Sequence, residues 1–266
     1  MADTAMPINA ATSSSERQRA HDRFNSILAV HGAAMNIFEV LPSLPNGRAA
    51  LAAGLRVNRG MSPAYTSDRI ESYVEEVFDA VEMEKSACYL TILSSALVSA
   101  CGAFEYLLKA TFVDQALLGR GEAANLLPKR KLALSASEVV AAPETEQWFL
   151  IADRLFEQLG EDQLPHTRAK VFLGKHTYLP RRAEQEQSIA EVFEKSNVEK
   201  FNEAFLIRNC VVHFGGRVNA KLAHHSGRTL GLLIPMEHKL VRELTKQLKN
   251  VANALESIWL QQQLGL

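Results

Sequence analysis

An all-α fold is predicted for this chain by three observations. Apolar residues recur at helical spacing over long stretches, most plainly in Leu240, Val241, Leu244, Leu248, Val251, Leu255, Ile258 and Trp259. Clusters of proline and glycine at 42–47, 60–63 and 119–128 cut the chain into pieces of helix length. Alternation of apolar and polar residues convincing enough for a sheet is absent, and residues 229–234 are the one place where a short strand fits.

Taken in order, residues 1–14 are rich in Ala, Thr and Ser and are expected to form a disordered tail. Ser15, an N-cap residue type with Glu16 behind it, opens a helix that reaches Leu41, where Pro42, Pro45 and Gly47 stop it. A loop runs through Gly60 and Pro63. A long helical stretch is then expected from Ser67 to Leu118, with Ile70, Val74, Val77, Phe78 and Val81 on one face. Gly119, Gly121 and Pro128 interrupt the chain before a helix over 144–159, where Trp148, Ile151, Leu155 and Leu159 share a face. Residues 160–180 read as irregular. A helix enters the segment around Arg208, and the stripe from Leu240 forms the last one. No internal repeat is visible, and residues 15–266 read as a single helical domain.

Composition narrows the function. With 47% hydrophobic and 22% charged residues, the chain has the makeup of an ordinary soluble globule long enough to bury a substantial core. No basic segment followed by an apolar one stands at the start, which argues against secretion. Residues 87–104 carry no charge and approach the length of a spanning helix. Their serines and alanines, and the direct run into Glu105 and Lys109, favour a buried central helix instead of a membrane span. Cys88, Cys101 and Cys210 have no metal-ligand spacing and read as core thiols of a reducing cytoplasm. P-loop, nucleophile-elbow, zincin and dinucleotide fingerprints are all missing. His224 and His225 lack further ligands nearby, so neither a metal nor a cofactor is expected.

One segment gathers groups suited to phosphate chemistry. The apolar run from Phe201 to Gly216 carries Arg208, Asn209 and His213 into a glycine stop. An arginine offers a permanent charge and a planar fork, and a histidine suits proton transfer near neutral pH. Val198, Phe201, Phe205, Arg208 and Val212 advance by three or four residues, which puts a positive charge on an apolar stripe. On a regular helix His213 lies about 140° around from Arg208, so one helix does not aim both at one point. Either the helix distorts or ends near Phe214, or a second copy supplies one of the groups. A purely structural use is also open, with Arg208 packing its stem and His213 capping the last carbonyls.

The Arg208, four residues, His213 arrangement, with Asn209 following the arginine, resembles the R-x4–6-H signature of the HEPN superfamily of helical nucleotide-binding domains. Upstream, residues 99–109 resemble the apolar helix with an embedded glutamate that often precedes the motif helix there. Glu105 and Lys109 match an E-x3-K spacing found in some members, and are otherwise read as an i,i+4 ion pair. The resemblance covers these two helices. It implies a HEPN-like helical bundle with additional helices and loops, and a metal-independent endoribonuclease acting on single-stranded RNA through the 2′-hydroxyl. It further implies a homodimer with a composite site and a role in a toxin–antitoxin or anti-phage defence system, with a possible antitoxin or defence-complex partner. Arg208, His213 and Asn209 are the catalytic candidates, and Glu105 and Lys109 the supporting ones. Gly215 stands where members silenced by adenylylation usually carry a tyrosine, which speaks against that form of control.

The formal net charge of −1 gives no general attraction to nucleic acid. Locally, no acid falls between Glu203 and Glu237, where Arg217, Lys221 and Arg228 are candidate RNA contacts. A second acid-free window between Asp162 and Glu184 holds Arg168, Lys170, Lys175, Arg181 and Arg182 with Phe172 and Tyr178, a mixture that suits single-stranded RNA as well as it suits a solvated loop. The run Lys129 to Lys131 reads as solvated surface. A non-catalytic helical dimer that binds RNA, a nucleotide or a protein is the competing expectation.

Overall fold

The computed structural model describes residues 10–40, 43–44, 46–57, 67–86, 90–117, 144–159, 164–173, 192–193 and 197–264. Among them the chain is all-α, with α1 (Ala10–Val40), α2 (Gly47–Val57), α3 (Ser67–Ser86), α4 (Leu90–Leu117), α5 (Glu144–Gln158), α6 (Pro165–Leu173), α7 (Val198–Phe214), α8 (Ala220–Ser226) and α9 (His238–Leu264).

Uncharged through its first half, α4 needs neighbours on every side to keep its apolar surface from water. It has them: α1, α3, α5, α6, α7 and α9 all pack against it. The helix is long and apolar enough to cross a membrane by length and composition. In this fold it is the helix that those neighbours surround. Arg17 of α1 faces Asp114 and Phe24 faces Phe104, so the two helices run antiparallel. Phe104 sets its ring edge against Phe24, Phe201 and Phe205 at centroid distances of 6.2, 5.3 and 6.1 Å, which ties α1, α4 and α7 together. Each ring adds about 1.5–3 kcal/mol by burial and about 0.5–1.5 kcal/mol per edge contact.

The stripe of α9 is buried at Val241, Leu244, Leu248, Val251 and Leu255, against α4 and α7. The side chains of Ile258 and Trp259 lie outside those described. A second, smaller core is formed by Ala52, Ile70, Val74 and Phe78 between α2 and α3.

Several elements differ from expectation. The first helix begins at Ala10, five residues before Ser15, and the fate of residues 1–9 lies outside the description. α2 lies within a region read as loop: glycine and proline crowd its edges, while its interior, Arg48 to Arg56, is built from good helix formers apart from Gly54. The stretch from Ser67 to Leu118 is two helices, ending at Ser86 and resuming at Leu90. α6 interrupts the segment read as irregular. Its proline stands at the first helical position, where a missing N–H costs nothing, and buried Asn202 of α7 accepts the His166 N–H at 3.0 Å. At 229–234 there is a single antiparallel bridge, Arg217 to Leu233, and no strand. Cys88, the Lys129 to Lys131 run and residues 174–183 of the second basic window lie outside the described residues.

Candidate functional site

The motif helix α7 starts where Asn197 accepts the Lys200 N–H at 3.0 Å, with Glu199 in the first turn. Residues 201–207 are buried all round, clasped by α4, α6, α8 and α9. Beyond Cys210 the helix leaves the core. Val212, His213 and Phe214 are exposed, and Gly215 at φ +58 ends the helix. Only glycine adopts that backbone readily. Gly216 follows at φ +75 and its N–H closes on the Cys210 carbonyl at 3.0 Å.

Arg208 sits at the border between these two halves. Its side chain is half-buried, with Nη1 donating to Asn209 Oδ1 at 2.9 Å and Nη2 reaching Glu105 Oε2 of α4 at 3.5 Å. Arg208 Nε is buried with no hydrogen-bond partner among the described residues. The positive charge on the stripe of α7 therefore meets the negative charge embedded in α4. Each looked anomalous in its own helix, and their opposite signs were the signal that could have paired them from sequence.

The expected Glu105–Lys109 pair does not form. Lys109 binds Asp153 of α5 and lies 5.6 Å over the Phe156 ring, while Glu105 faces α7. The two residues look to different neighbours because α4 is enclosed by helices on several sides. Cys101, one turn before Glu105, is fully buried, and burial pushes its thiol well above the usual range, with Glu105 adding to the shift and Arg208 opposing it. It stays a protonated, apolar filler. Burial likewise raises the Cys210 thiol.

Among the described residues His213 makes no hydrogen bond or ion pair, and it stands exposed beyond the Arg208 cluster. The structure thus brings Arg208, Asn209 and Glu105 together, and leaves His213 outside that contact, as the helical wheel requires. α7 stays regular through Phe214.

The basic candidates separate in the same way. Arg217 is exposed and donates to the Gly231 carbonyl at 3.1 Å. Lys221 is exposed on α8. Arg228 is half-buried and donates to Glu203 Oε1 at 2.9 Å, so its charge is balanced inside the fold. Arg168 is engaged as well, donating to the Phe156 carbonyl at 2.9 Å with its guanidinium 3.7 Å from the ring centre. Val212 and Phe214, on either side of His213 in the chain, are exposed, as are Leu230, Leu232 and Leu233 of the loop whose backbone pairs with residues 216–218. Sequence reasoning read the segment that holds these leucines, 229–234, as the one place for a short strand and not as exposed apolar surface. The described residues contain no group of His, Cys, Asp and Glu able to hold a metal ion.

Comparison with protein-family models, with curated proteins and with solved structures finds no match for this chain, so its site is read from its own residues.

Proposed function

We propose that the chain is a HEPN-type, metal-independent endoribonuclease of the cytoplasm that cleaves single-stranded RNA as a homodimer. The observation that carries this reading is the end of α7, where a half-buried Arg208 with a partnerless Nε and an exposed His213 stand five residues apart beside an apolar surface. Neutral His213 takes the proton of a ribose 2′-hydroxyl. The 2′-oxygen then bonds to the adjacent phosphorus and the bond to the 5′-oxygen breaks. A protonated His213 from the second protomer supplies the proton to the departing 5′-oxygen. Arg208 stabilises the charge that develops on the phosphorane, and Asn209 holds its guanidinium in place. Products are a 2′,3′-cyclic phosphate and a 5′-hydroxyl. Arg217 and Lys221 contact the RNA backbone; Arg228 has no part in it.

Two copies are needed because Arg208 and His213 point to different sides of one helix. The exposed Val212, Phe214, Leu230, Leu232 and Leu233 offer the apolar surface on which a second copy would bring the missing group. The same surface supports the second reading, a non-catalytic dimer or partner-binding module, in a toxin–antitoxin or defence setting.

The test is cleavage of labelled single-stranded RNA by the wild type and by His213→Ala, in EDTA, followed by analysis of fragment ends. Cyclic-phosphate ends from the wild type and a loss of at least about 100-fold in the variant are expected. Equal cleavage by both proteins, or a dependence on metal, would overturn the reading. No cleavage by either leaves the binding module as the better account.

A further inference from the structure

An arginine that binds an anion does so with N–H donors that the surrounding protein leaves over. Arg208 has such donors. Its one carboxylate partner among the described residues, Glu105, approaches one outer nitrogen at 3.5 Å, at the far limit of a hydrogen bond. Asn209 takes the other outer nitrogen at 2.9 Å, and the buried Nε has no acceptor. An orphan donor of this kind is unfavourable until something accepts from it. The side chains of both ion-pair members are only 26% and 21% exposed, so water screens them poorly and the carboxylate lowers the effective charge that Arg208 shows to an incoming anion.

We infer that Glu105 is a positioning residue for Arg208: it fixes the guanidinium against α4 in an under-bonded state and competes with the RNA phosphate for its charge. The inference rests on the reading of Arg208 as the phosphate-binding group. Glu105 itself touches no reacting atom. Its two effects are opposed. Holding the guanidinium favours the transition state, where charge on the phosphorane is largest, and competing for it weakens the ground-state complex. The long contact fits such a role, because a short, bidentate pair would not be relinquished.

The consequence is a split between binding and turnover. Glu105→Gln preserves shape and removes the charge. It is expected to bind a labelled 2′-O-methyl single-stranded oligonucleotide about three- to ten-fold more tightly, with the slope of log K against log salt steeper by about 0.7 for one added effective charge. On cleavable RNA, KM is expected to fall and kcat to fall with it, by about ten-fold. In an Arg208→Gln background, Glu105→Gln should change neither quantity, because it acts through the arginine. Should Glu105→Gln melt early, Glu105→Asp, which withdraws the charge by one methylene, reads the same split with a smaller amplitude.

Unchanged binding and turnover in Glu105→Gln, with wild-type cleavage dependent on His213, would overturn this inference alone. So would equal effects with and without Arg208, which would mark a merely structural role. Failure of the wild type to bind or cleave RNA would overturn the functional reading and this inference with it.

Discussion

Arg228 donates to Glu203 across 2.9 Å and 25 residues of sequence, while Lys200 Nζ holds the other carboxylate oxygen at 3.1 Å. The Arg228 bond pins the segment after α8 onto the buried wall of α7, and the Lys200 bond, within α7, holds the carboxylate for it. Burial alone would raise the Glu203 carboxyl, but the bonds and charges of Arg228 and Lys200 outweigh it and hold the group below its ordinary value of 4.5.

A carboxyl lowered by folding adds stability above its unfolded value and loses that contribution as the pH falls through the lower, folded one. Glu203→Gln is therefore expected to reduce stability at pH 7 by about 2 kcal/mol. In urea titrations the gap between variant and wild type should close as the pH drops well below 4.5. A gap that stays constant down to the acid limit would show that Glu203 acts through packing and not through its charge.

The buried Asp114 has the opposite sign. Burial removes water from its carboxyl and Arg17 only partly compensates, since that arginine also binds Glu256; the result is pushed up to about 8, with Glu16 and Glu256 adding to the rise. Neither Asp114 oxygen has a hydrogen-bond partner. The folded chain keeps a proton that the unfolded chain gives up near 3.8, so this stability is full below 3.8 and is lost as the pH rises toward 8. Asp114→Asn should remove the trend. From pH 5 to 8 the wild type is expected to lose up to about 1.4 kcal/mol per pH unit relative to the variant, read by denaturant midpoints. Parallel pH profiles would reject the proton.

Arg208→Lys tests the fork separately from the charge. Lysine keeps a cation near Glu105 but cannot engage Asn209, Glu105 and a phosphate through one rigid plane. Cleavage should fall by about 100-fold with the melting temperature within a few degrees of wild type. Full activity in the lysine variant would leave the guanidinium geometry without a role.

How much of this was legible in the sequence depends on whether the deciding contact is local. The stripe of α9 and the apolar run of α4 announce their burial, because periodicity and the absence of charge are local properties of a helix. Glu105 and Arg208 were each singled out as misplaced charges, yet their meeting across 103 positions was not, because the local rule paired Glu105 with Lys109 four residues away. Tertiary packing overrode it by offering Lys109 a better partner in Asp153. Arg228 looked like a free cation since its acid lies far upstream and inside the core. α2 and α6 were missed for a related reason: Gly47, which begins α2, was read as a stop, and α6 fell within a stretch read as irregular. The wheel angle between Arg208 and His213 needed no structure, because it follows from the helix alone.

The small core between α2 and α3 has a consequence for the way the molecule comes apart. A core of four residues set apart from the main one and, among the described residues, no share in the aromatic cluster around Phe104 make this hairpin a separate cooperative unit of low cost to open. Native-state hydrogen exchange should find the amides of α2 and α3 released in sub-global openings that leave α4 and α7 protected. Exchange of all four helices at one common free energy would show instead that the hairpin melts only with the whole. In the first case, strain or cleavage in the hairpin is absorbed locally, and the Arg208 cluster outlives the loss of a neighbouring part of its own chain.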